Sequence, residues 1–93
     1  MTYNVGDRVR ISTRSTWARG ATGTIGVPPE TIGEILGDES PYDGCRRFVR
    51  GRKGLVEFYW VIFDEAQIDA DGDGLYPEAE IEADELEPII EKV

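Results

Sequence analysis

The chain has 93 residues, of which 19 are acidic, 10 basic and none histidine, for a net charge of −9. This length supports one domain with a small core, because so short a chain buries only about 60–65% of its unfolded surface. The charge argues against a simple nucleic-acid binder, since phosphate needs cationic partners. Without histidine, imidazole acid–base catalysis and imidazole metal ligation are excluded. One cysteine, Cys45, excludes an internal disulfide and a cysteine-rich metal site. The longest apolar run, Phe58 to Phe63, is far short of a membrane span. Residues 1–7 carry no apolar signal-peptide core, so the cytoplasm is the compartment expected.

Charge is unevenly placed. Residues 1–54 hold 9 bases against 6 acids, a balance of +3, and residues 55–93 hold 1 base against 13 acids, a balance of −12. In so small a domain the two halves must pack together, which predicts internal pairing.

In chain order, residues 5–11 alternate Val9 and Ile11 with Arg8 and Arg10, which predicts a half-buried strand after a glycine turn. Residues 12–20 are polar and predict a loop. Residues 20–27 predict a second strand, opened by Gly20 and Gly23 and stopped by Pro28-Pro29. Residues 28–54 read as a long insertion with some local structure. Within it, 31–37 fit a short strand or a helical turn, 40–44 a turn, and 46–54 a basic run with little period.

The strongest strand spans 55–64 and places Tyr59, Val61 and Phe63 on one face, Phe58, Trp60 and Ile62 on the other. Both faces are apolar, so both need cover, the second from the 28–54 insertion or another copy. An Asp/Gly-rich loop over 64–78 follows. A strand over 79–83, a 3₁₀ turn over 84–87 and a short closing strand over 88–90 complete the chain. The expected core is Val9, Ile11, Ile25, Tyr59, Val61, Phe63, Ile81 and Leu86.

Residues 6–11, 20–25, 59–63 and Asp84-Glu85-Leu86-Glu87-Pro88 together resemble the small SH3-like barrels. That group includes KOW-type modules and the variable chain of ferredoxin–thioredoxin reductase. The resemblance covers about half the chain and implies an all-β fold, an SH3-like partly open barrel of about five strands with a long inserted loop. It also implies a single domain over 1–93 that binds or supports a partner rather than performing catalysis. Fold likeness alone licenses no function.

The sharpest chemical motif is residues 69–80, which fit D-x-D-x-D-G-x₅-E and resemble the calcium loop of EF-hand proteins. Calcium takes six to eight hard oxygens, and carboxylates at alternate positions converge when a loop curls around the ion. The resemblance implies Asp69, Asp71, Asp73, the Leu75 carbonyl and Glu80 as ligands. The flanks read as strands rather than helices, and Pro77 supplies no side-chain ligand. A solvated Asp/Gly hairpin loop is the competing reading.

Arg46, Arg47, Arg50, Arg52 and Lys53 form the second candidate, for nucleic acid or an acidic partner, with Phe48 between them. The competing reading pairs them with the acidic half. Trp17, Phe58, Trp60 and Ile62 form the third, an aromatic partner-binding patch. Cys45 has cationic neighbours, which activate a thiol, but no histidine base. No carboxylate dyad or phosphate loop stands out. The reading is a non-enzymatic binding or accessory module, with a protein partner or a second copy and a calcium ion in the 69–80 loop. The alternatives are a KOW-like nucleic-acid binder and an accessory subunit of a redox enzyme.

Overall fold

The computed structural model describes residues 2–32 and 41–90. It is all-β, a single sheet curled into an open half-barrel. The strands are β1 (Arg8–Ile11), β2 (Thr22–Ile25), β3 (Arg46–Gly51), β4 (Gly54–Gln67), β5 (Tyr76–Glu82) and β6 (Leu86–Pro88), with a 3₁₀ turn at Ala83–Glu85. Every pairing is antiparallel, along the path β3–β4–β2–β1–β6, and β5 pairs with β4 as well.

The 14-residue β4 organises the sheet. Along one edge it pairs first with β3, from Gly54 to Tyr59, and then with β2, from Val61 to Phe63. The change of neighbour falls at Trp60, whose N–H donates to Cys45 O at 2.9 Å and whose carbonyl accepts from Gly26 N at 3.0 Å. Along the other edge β5 pairs from Phe58 to Ile62, then resumes at Gln67 after a register shift.

Alternation along these strands delivers the core as expected. Val9, Ile11, Ile25, Tyr59, Val61, Phe63, Ile81 and Leu86 form one buried cluster, joined by Tyr3. Tyr59 is fully buried. Its hydroxyl accepts from Tyr3 N at 3.1 Å, and the two rings meet edge to face at 5.2 Å. The Tyr3 hydroxyl reaches Leu86 O at 3.3 Å, tying the N-terminal segment to β6.

Several boundaries differ from those read in the sequence. The first strand begins at Arg8, because residues 5–6 form a turn. The end of the 28–54 stretch is strand, since Arg46–Gly51 forms a hairpin with β4. Gly54, at φ 125°, closes that hairpin in a conformation that side chains avoid. The Asp/Gly loop spans only 68–75, because β4 and β5 both extend toward it. The last strand is Leu86–Pro88, paired with β1, rather than 88–90. Residues 33–40, which hold most of the 31–37 expectation, lie outside the described residues.

Candidate functional site

β5 leaves β4 at the Glu82–Phe58 pair and turns into the 3₁₀ segment. Residues 54–57 of β4 continue past this point and pair, among the described residues, only with β3. Their other edge borders a cleft of about 470 Å³. It is lined by Leu55, Val56 and Glu57 of β4, by Glu82, Ala83 and Asp84 after β5 leaves, and by Tyr3, Leu86 and Pro88. The cleft therefore combines an unpaired strand edge, apolar surface and three carboxylates. Glu57 is shared with Arg46 at 3.4 Å.

Beyond that junction the β3–β4 hairpin is a two-stranded arm, roughly 13 Å long at the usual rise of four residues. Phe48 faces Glu57 and Arg50 faces Leu55 across the strands, which puts all four on one side of the arm. Phe48 is 45% and Leu55 68% exposed. The Arg46 guanidinium lies 5.6 Å from the Phe48 ring centre.

The five bases of the 46–53 run are not one patch. Arg47 lies on the outer face of the sheet, over the Phe58 ring at 5.7 Å, and forms a two-pronged pair with Glu80. The Glu80 hydrogen bond holds the Arg47 pKa above its ordinary value, against the opposing pull of burial. Arg46 and Arg50 share the opposite face, and Arg52 and Lys53 occupy the turn. Arg50, Arg52 and Lys53 form no ion pair among the described residues. Of these five bases, Arg46 and Arg47 pair with the acidic half among the described residues.

The aromatic candidate also divides. Phe58, Trp60 and Ile62 lie on the outer face. Trp17 packs from elsewhere against Phe63, at 5.8 Å, and Tyr76, at 6.1 Å, both edge to face. Trp60 is buried and covered by Tyr42, whose ring meets it edge to face at 5.9 Å. Its indole N–H donates to Glu78 at 2.8 Å. The insertion thus supplies cover through Tyr42 and Arg47, while Ile62 stays 42% exposed. Burial first, then Glu80, pushes the Tyr42 phenol far above its ordinary pKa, so it donates to Glu80 at 2.9 Å as a neutral hydroxyl.

In the Asp-rich loop, Asp69, Asp71 and Asp73 bring carboxylate oxygens within 4.8 Å of one another. Asp69 Oδ1 accepts from Asp71 N at 3.0 Å and Asp73 N at 2.9 Å, and Oδ2 receives the Tyr76 hydroxyl at 3.4 Å. The nearby Asp69 charge raises the Tyr76 pKa. Glu80 does not join this group. It lies four residues along β5 from Tyr76, roughly 13 Å at strand rise, and is held by Arg47 and Tyr42. β5 pairing carries it away, so the EF-hand-like ligand set loses its bidentate member. Leu75, which follows Gly74 in the same loop, is 66% exposed.

Comparison with known proteins found no family model, no curated protein and no solved structure that matches the chain. The cleft was missed in the sequence. Its one advance sign is Leu55-Val56-Glu57 extending the strand beyond where Ile81 and its neighbours find partners, and that length mismatch is visible only once β5 is in register.

Proposed function

We propose that the chain is a non-enzymatic binding module and that its cleft takes an extended, basic, partly apolar segment of protein. The coincidence of the unpaired 54–57 edge with the Glu57, Glu82 and Asp84 carboxylates, and with Leu55, Leu86 and Pro88 in the same lining, carries this reading. An unpaired strand edge offers backbone hydrogen bonds to an added strand, and side pockets supply selectivity. The carboxylates favour lysine or arginine and steer a cationic partner. An NMR titration with a short peptide alternating arginine and leucine tests it. Amide shifts confined to Leu55–Glu57 and Glu82–Leu86, absent with a glutamate–leucine peptide, are expected. Equal shifts from both peptides, or none, overturn the reading.

A second reading rests on the convergence of Asp69, Asp71 and Asp73: a calcium ion held there as a structural clamp on the loop. The division of the basic run across two faces and the turn favours neither nucleic-acid binding nor any other single use of those five residues.

A further inference from the structure

The same chain carries a segment of the chemistry that the cleft calls for. A two-stranded ribbon has little stability alone, and this arm exposes Phe48 and Leu55 on one side while Arg50, Arg52 and Lys53 lack ion pairs among the described residues. The unpaired edge of residues 54–57 is on that arm, and Glu82 and Asp84 stand beside its root.

Resting on the reading of the cleft as a protein-binding site, we propose that its occupant is the arm of a second copy, exchanged across a twofold axis. Residues 55–57 of the two copies pair antiparallel, up to the point where β5 already holds Phe58, and join both hairpins into a four-stranded sheet. With the axis near Val56, Leu55 of one copy lies opposite Glu57 of the other. Arg50, the neighbour of Leu55 on β3, then lies on the same face two strands from that Glu57, roughly 10 Å at the usual strand spacing. The row across the four strands reads Phe48, Glu57, Leu55, Arg50, alternating apolar and charged groups of opposite sign. Because the strands run antiparallel, each arm's tip is carried back toward the other copy's 3₁₀ turn. Arg52 and Lys53 of one copy meet Glu82 and Asp84 of the other. A twofold contact uses the same surface on both copies, so each of these pairings occurs twice and the assembly closes as a dimer. It also removes the unpaired edge, which is otherwise a template for uncontrolled association.

Sedimentation velocity on the full chain, with circular dichroism as a check of folding, tests the proposal. The wild type is expected as a concentration-dependent dimer. Glu82→Lys with Asp84→Lys places like charges together and is expected to weaken dimerisation by about tenfold or more. Adding Arg52→Glu and Lys53→Glu to that variant reverses both sides and is expected to restore the dimer. A wild type that stays monomeric into the hundred-micromolar range overturns the exchange, as does a dimer indifferent to charge reversal, or one not restored by the fourfold variant. The cleft reading is judged separately, by the arginine–leucine peptide binding to a monomeric chain. Failure of that titration at concentrations where the chain is monomeric, with dimerisation as described at higher concentration, refutes the general peptide site and leaves the exchanged arm standing.

Discussion

Arg47 and Glu80 join β3 to β5 across the whole width of β4, with the guanidinium lying over the Phe58 ring between them. Tyr42 adds its hydroxyl to the same carboxylate and its ring to Trp60. These contacts roof the outer face of the strand with groups from β3, from β5 and from the segment that precedes β3. The pair is mostly enclosed, with side chains 11% and 18% exposed.

Removing one member of such a pair leaves the other desolvated. Arg47→Ala is expected to cost about 2–3 kcal/mol in urea unfolding. Tyr42→Phe removes only one neutral donor to Glu80 and is expected to cost about 1 kcal/mol. A double-mutant cycle over Arg47 and Glu80 should return a coupling of about 1–3 kcal/mol. Additive effects would show that the pair is not acting as a unit.

The eight-residue core was legible because strand alternation has a period of two, and each of those residues occupies an inward position. Tyr3 was not legible, because it precedes β1 in a segment without periodicity and joins the core through Tyr59 and Leu86. β3 was hidden for a related reason. As an arm it buries little, so Arg-Arg-Phe-Val-Arg-Gly shows none of the apolar alternation that marks a covered strand. The three aspartates were legible as a cluster, since a short loop gathers its own side chains whatever its flanks do. Glu80 was not, because its place depends on the register of β5 against β4.

Gly23 pairs with Phe63 where β2 crosses β4. A Cβ there would lie 2.6 Å from the Ile62 carbonyl oxygen and 2.8 Å from Val61 Cγ1. Neither the backbone nor a fully buried valine yields cheaply, so Gly23→Ala is expected to cost about 1–3 kcal/mol. Gly44 has open space at its Cβ position, but its φ of 68° makes alanine strained for a different reason. Comparing the two by thermal melts separates crowding from backbone strain. Crowding at Gly23 should persist with serine and worsen with valine.

The Arg8 guanidinium and the Thr22 hydroxyl hold the Asp64 carboxyl well below the usual carboxylate range. A carboxyl whose folded pKa is depressed contributes stability that is present above its unfolded pKa, near 4. That stability is lost as pH falls through the folded value. Unfolding free energy should therefore drop on acidification below about pH 4, and Asp64→Asn should flatten that part of the profile. The carboxylate is 42% exposed, so the effect should shrink in added salt. A profile unchanged by Asp64→Asn would mean that this contact does not contribute to the acid limb.

Calcium supplies the last test. Three carboxylates within 4.8 Å repel one another unless a cation lies between them, and the backbone of the loop is already curled around Asp69. An ion bound only by the folded chain raises stability by mass action, about 2.7 kcal/mol when it is a hundredfold above its dissociation constant. For a domain of this size that is a rise of roughly 10–20 °C in Tm. Magnesium should do less, because it demands tighter octahedral geometry and releases its waters reluctantly. Trp17, edge to face with Tyr76, gives a second readout, since Tyr76 donates to Asp69 and would respond as that carboxylate turns to the ion. Asp71→Asn is the informative variant: the Asp71 backbone N–H makes the turn, while its carboxylate is exposed. The turn should survive in the variant and the calcium response should fall sharply. Without Glu80 the ion has fewer protein oxygens than an EF-hand offers, so water must complete its shell and binding should be weak, at millimolar calcium. Melting temperatures and tryptophan emission that are the same in calcium and in chelator would leave Asp69, Asp71 and Asp73 as a solvated turn.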